Sequence, residues 1–142
     1  MSIQSSKQKG LAAIEMMIAM PVLLFFLVLV LELGNILIHY NVIAKSVQNG
    51  ARYAVSEVYG TTGGSVAPTS EIQNIVVYGK STAGTAILSN LSTSDVIVNA
   101  PTVDSYVRVT VNYEYVPHFL SIPFSSESFS MPMSVSSVMR VF

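Results

Sequence analysis

Residues 16–31 carry no charged side chain, and the wider stretch 11–38 carries only Glu15 and Glu32. As a helix rising about 1.5 Å per residue, 11–38 would reach about 42 Å, against a bilayer hydrocarbon core of about 30 Å. One membrane-spanning helix is therefore the first expectation, and every other element has to be fitted around it. Glu15 sits inside that helix with apolar neighbours on both sides. A carboxylate at membrane depth costs about 3 kcal/mol on insertion scales, so it marks a functional position unless a plainer role is found.

The residues before the span, Ser5-Ser6-Lys7-Gln8-Lys9-Gly10, hold the clustered basic charge of the chain. Positive flanks stay cytoplasmic, which sends the C-terminal part outside the cytoplasm. A secretory signal peptide fits poorly, because the apolar run continues into Glu32-Leu33-Gly34-Asn35 without a small-residue cleavage site. An uncleaved anchor would have to use 16–31 alone, about 24 Å, and leave Leu11-Ala12-Ala13-Ile14 without a purpose.

Helical spacing continues past the span. Leu33, Ile36, Leu37, Tyr40, Ile43, Ala44, Val47, Ala51, Ala54 and Val55 recur at steps of three and four, while Asn35, Asn41, Lys45, Gln48, Asn49, Arg52 and Ser56 fill the other side. One helix is predicted over about 11–56, its outer half needing a partner for its apolar stripe. Gly60-Thr61-Thr62-Gly63-Gly64-Ser65 ends it. This segment superficially resembles a phosphate-binding loop, but no Gly-Lys-Ser/Thr follows and no strand precedes it, so it reads as a linker. Ser70-Glu71-Ile72-Gln73 matches a capping box and predicts a short helix over 71–78, stopped by Gly79. Residues 80–94 read as loop.

The remainder reads as β-structure. Residues 96–98 form a short strand, and Pro101 and Asp104-Ser105 make a turn. In 106–116, Val107, Val109, Val111, Tyr113 and Tyr115 alternate with Arg108, Thr110, Asn112 and Glu114. A third strand sets Phe129, Met131, Met133, Val135 and Met139 against Ser130, Ser134, Ser136 and Arg140. Short connections favour an antiparallel meander of about three strands. The fold class is α+β, and the 86 residues after the helix are few for a self-sufficient core, so the outer helix should complete it.

Chemistry is scarce. The chain has no Cys and two His, His39 and His118, neither with an Asp or Cys close in sequence. No zinc, P-loop or calcium-loop spacing occurs, and Asp95, Asn99 and Asp104 read as turn formers. Neither enzymatic activity nor a metal or other cofactor is expected. Loss of the first ten residues would remove Lys7 and Lys9 and leave five basic against eight acidic side chains, a balance of −3. That leaves no basic patch suited to nucleic acid.

Lys9-Gly10-Leu11-Ala12-Ala13-Ile14-Glu15 resembles the processing site of type IV pilin-like proteins. With Pro21, Glu32-Leu33-Gly34, Gly50-Ala51-Arg52-Tyr53-Ala54, Val76-Val77-Tyr78-Gly79 and Val138-Met139-Arg140, the chain looks like the TadE-like pseudopilins of tight-adherence (Tad) pili. The match is dense over 9–54. Met16 stands where the family often has an aromatic, and Asn35 where a basic residue is common. The resemblance implies a cytoplasmic leader at 1–10, cut by a prepilin peptidase between Gly10 and Leu11. A transmembrane part at 11–38, an outer amphipathic part at 39–56 and an extracytoplasmic α+β head at 57–142 would follow. Glu15 would pair with a neighbouring subunit's new N-terminus during assembly. Pro21 is open between a neutral kink and a melting point for fibre assembly, and Gly50-Ala51-Arg52-Tyr53-Ala54 would be the site where head and helix pack.

The implied location is the bacterial inner membrane and then the pilus. The implied partners are other pilins and pseudopilins, the peptidase and the assembly platform in that membrane. The implied job is a minor pilin that primes or tips a fibre used for surface attachment. A type II secretion pseudopilin would share the processing site, and an uncleaved, anchored binding module would lack it.

Overall fold

The computed structural model describes residues 4–60, 66–99, 106–117 and 130–141, with side chains in the first stretch described from 10 to 56. The expected turn at Pro101 and Asp104-Ser105, the linker at 61–65, His118 and Phe129 lie outside these residues. The chain is α+β: helix α1 (Gln4–Gly60), helix α2 (Thr69–Tyr78), and strands β1 (Val96–Asn99), β2 (Tyr106–Tyr115) and β3 (Met131–Arg140). It divides into two compact units, Met1–Asn35 and Ile36–Phe142.

The first unit is helical and almost wholly apolar. α1 already begins at Gln4, seven residues ahead of the expected start, and it runs on through Pro21. Met17 is 77 % exposed and Leu29 still 43 %. Such exposure along a helix is untenable in water and is what a lipid environment or neighbouring helices would cover. This is the one described helix long and apolar enough to cross a membrane, and none of its most apolar stretch is buried within the protein.

In the second unit, the outer part of α1 and α2 cover one face of the sheet. The strand order is β1-β2-β3, with both pairings antiparallel. Alternation along β2 has the expected phase: Val107, Val109, Val111, Tyr113 and Tyr115 are buried. Each fully buried valine contributes about 1.5–3 kcal/mol relative to exposure. Val96 and Val135 flank Val111 across the sheet, and Val98 flanks Val109. On β3, Met133, Val135 and Met139 are half-buried on that same face, whereas Met131 at its start is exposed.

The helices meet this face through Ile43, Val47, Ala51 and Ala54 of α1 and Ile72, Val76 and Val77 of α2, all completely buried in one cluster with the valines. The expected stripe is covered only in part. Ile36 is half-buried, but Leu33, Leu37 and Tyr40 are exposed, and Ser46 and Gly50 stand on the buried side instead. Ser46 tolerates burial because its hydroxyl donates to the carbonyl of Val42 one turn back, at 3.0 Å.

The capping box expected at Ser70 and Gln73 is not formed. α2 starts two residues earlier, with Pro68 as N-cap and no side-chain cap. Proline presets an extended entry, and its carbonyl accepts from Glu71 and Ile72 N–H at 3.0 and 3.1 Å. Gln73 is committed elsewhere: its Nε2 donates to the Val96 carbonyl at 3.0 Å and ties α2 to edge strand β1. The helix does stop at Gly79, whose φ of 73° is left-handed and whose N–H reaches the Ile75 carbonyl. The expected loop over 80–94 contains the start of a 3₁₀ turn, Thr93–Asp95, with the Ser92 N–H donating to Asp95 Oδ2 at 2.9 Å.

Candidate processing and assembly site

Gly10, Leu11 and Glu15 lie within one and a half turns of α1, because glycine in a strongly apolar, alanine-rich context is carried along as helix. Gly10 is exposed, and a Cβ built on it would meet nothing within 4 Å. Packing inside this chain therefore places no demand for glycine there. Leu11 is 69 % exposed. Glu15 is exposed between Ile14 and Met16, themselves more than half exposed, and no described basic side chain pairs with it. A carboxylate in that position is costly in lipid, and a cation brought by another helix would lower that cost. Pro21 has no N–H to donate to the Met17 carbonyl, which leaves a local weakness in an otherwise continuous helix.

The segment Gly50-Ala51-Arg52-Tyr53-Ala54 lies in the second unit, on the last turns of α1. Gly50, Ala51 and Ala54 are buried, Tyr53 is half-buried and Arg52 is exposed. At Gly50 α1 and α2 approach closely: a Cβ there would run into Cγ2 of Val76 and sit 3.6 Å from the Ile72 carbonyl oxygen. Small residues let two helix backbones approach, and their spacing of three or four keeps them on one side. Beside this contact the Tyr53 hydroxyl donates to Glu71 Oε2 at 2.7 Å, joining α1 to the first turn of α2. Arg52 points away from this packing and serves no part of it.

Two residues with no assigned part emerge as positioning groups. His39 lies 6.3 Å from the Tyr113 ring, nearly parallel, and 5.0 Å from the Tyr115 ring, edge to face. It thus pins the end of β2 to the first turns of this unit. Its place three residues from both Ile36 and Val42, and four from Ile43, was the signal available in the sequence. Tyr113 in turn donates to the Ser89 carbonyl at 3.0 Å, and burial raises its pKa above 10.0. No group of three or more potential metal ligands occurs among the described residues.

Residues 10–52 match the family model of the TadE-like proteins. No curated protein and no solved structure matches the chain.

Proposed function

We propose that this chain, TadE-like over residues 10–52, is a pilus-associated membrane protein and, more narrowly, a minor pilin or pseudopilin that is processed and built into a Tad-type fibre. The observation that carries the reading is the exposed Glu15 five residues beyond Gly10, on an exposed apolar helix within the matched segment. Cutting the Gly10–Leu11 bond would release the amine of Leu11. That amine lies about 6 Å along the axis from Glu15 of the same helix, so a neighbour's amine is free to come closer to the carboxylate. Opposite charges in hydrocarbon attract strongly because little dielectric screens them. Each subunit would then offer one cation and one anion, and head-to-neighbour pairing would set the stagger between adjacent helices.

The open space around Gly10 supports a requirement imposed from outside, by a peptidase that needs close access to the backbone. The role is structural rather than catalytic. The partners are the prepilin peptidase, the inner-membrane assembly platform and other pilins, with the second unit exported. Priming or capping the fibre is the specific task proposed, since a head on top of a shared helix is what distinguishes one pilin from another.

Intact-mass measurement on protein from membranes, with and without the prepilin peptidase, tests this. The expected product is the 132-residue chain beginning at Leu11. An unprocessed chain in peptidase-competent cells overturns the reading and leaves an uncleaved anchor.

A further inference from the structure

The side of the sheet turned away from the helices has a definite chemical order. Reading across the strands, Asn99, Arg108 and Val138 form one row, and Ile97, Thr110 and Ser136 the next. Asn112 with Ser134 makes a third row, and Tyr106 with Arg140 closes the end. The middle rows are short hydrogen-bonding side chains held in place by one another. Thr110 Oγ1 donates to Ser136 Oγ at 3.2 Å, and Ser134 Oγ donates to Asn112 Oδ1 at 2.9 Å.

At one end, Tyr106 is 50 % exposed and Arg108 and Arg140 are exposed. These arginines are diagonal neighbours, with backbones about 7–8 Å apart. Among the described residues neither has a carboxylate partner. Glu114, on the same side, is six residues along β2 from Arg108, about 20 Å away. Of the five basic side chains beyond Gly10, two are thus gathered on one corner of a chain whose balance there is −3. This corner lies at the opposite end of β2 from Tyr113 and Tyr115, which hold His39.

We infer that this corner binds a carboxylated polysaccharide. Two guanidiniums at that spacing can each take a carboxylate through paired N–H donors. An exposed tyrosine ring presents an apolar face for a sugar ring to lie on and a hydroxyl to bond it. The flat rows of hydroxyl and amide groups supply donors and acceptors for sugar hydroxyls. Protein interfaces also enrich Arg and Tyr, but around an apolar core. Here the centre is Thr110, Asn112, Ser134 and Ser136, with Ile97 and Val138 as isolated apolar neighbours. The inference rests on the proposed function only in requiring export of this unit.

The test uses the full-length protein in detergent micelles, with immobilised sodium alginate as probe and neutral dextran and poly-L-glutamate as controls. Alginate should be bound and dextran not, with binding weakening as salt rises. Arg108→Gln combined with Arg140→Gln should weaken alginate binding about thirtyfold or more, and Tyr106→Ala about tenfold. Arg52→Gln, which removes one positive charge from α1 where the double variant removes two from the sheet, should change it less than about twofold. Arg108→Lys with Arg140→Lys, which keeps the charge and loses the paired donors, should fall between.

Unchanged binding in the double Gln variant overturns the proposal, since the guanidiniums would then be engaged within the chain. Equal losses for Arg52→Gln overturn it in favour of unspecific charge. Poly-L-glutamate bound as tightly as alginate, with no effect of Tyr106→Ala, replaces the polysaccharide by an acidic protein surface. In cells, the double variant should leave pilus numbers normal and reduce attachment to alginate-coated glass. Loss of pili would make the corner an assembly surface instead. If deleting the whole protein leaves pili intact, the proposed function fails, while binding by the purified protein still decides this inference.

Discussion

Gly50→Ala sets two known effects against each other. Alanine in a helix interior is favoured over glycine by about 1 kcal/mol. At Gly50, however, the new methyl meets Val76 Cγ2 and crowds Ile72, and both partners are completely buried. Overpacking a closed core costs about 1–3 kcal/mol, so the net outcome is a loss of up to about 2 kcal/mol. Val76→Ala by itself should cost about 2–3 kcal/mol, from two lost carbon groups and the cavity left behind. Combined, the two changes should partly cancel, because the methyl at position 50 occupies space that Val76 vacates. The coupling should reach about 1–2 kcal/mol.

The measurement is urea unfolding of the full-length protein in micelles, followed by tyrosine fluorescence. The chain has no Trp, and all seven tyrosines lie beyond Asn35, so the signal reports the second unit alone. A loss of 1 kcal/mol moves the midpoint by about 0.5–1 M. A stabilised Gly50→Ala variant, or strict additivity in the pair, would refute the close approach of α1 and α2.

Glu15→Gln and Glu15→Leu should both abolish or sharply reduce surface pili, counted by electron microscopy, while the Leu11 N-terminus is still produced. The Leu variant should insert at least as well as wild type, since about 3 kcal/mol of burial cost disappears; normal pili in both would reduce Glu15 to a boundary residue. Tyr113 supplies a pH signature. Burial favours its neutral phenol, so its folded-state pKa lies above the unfolded value near 10.0. Its contribution to stability is complete below pH 10 and is lost as pH rises through the higher folded value. Tyr113→Phe should cost about 1 kcal/mol at pH 7 through the bond to Ser89, and urea midpoints measured from pH 8 to 11 should fall less steeply in the variant than in wild type.

Local periodicity carried much of this architecture. The charge-free run at 16–31 dictated a membrane-length helix because hydrocarbon tolerates neither charge nor open backbone. Alternation in 106–115 dictated which β2 side chains are buried, since a strand repeats every two residues. Gly79 ended α2 because it alone enters the left-handed region without strain. The proposed processing motif was equally local, a glycine and a carboxylate on one helix.

Choices between equally apolar or equally capable groups were not local. The stripe on the outer part of α1 was broad enough to bury either of two sides, and the sheet selected the one with Ile43, Val47 and Gly50, leaving Leu37 and Tyr40 exposed. Gln73 could have capped its own helix, yet the Val96 carbonyl on the sheet edge took its donor and Pro68 took over the start. Gly50 was visible as a small residue, but its reason, Val76 on another helix, was not. Neither was the gathering of Arg108 and Arg140, 32 positions apart in the chain, because strand register alone makes them neighbours. A sequence states which groups are able to be buried or bonded; competition among partners brought together in space decides which of them are.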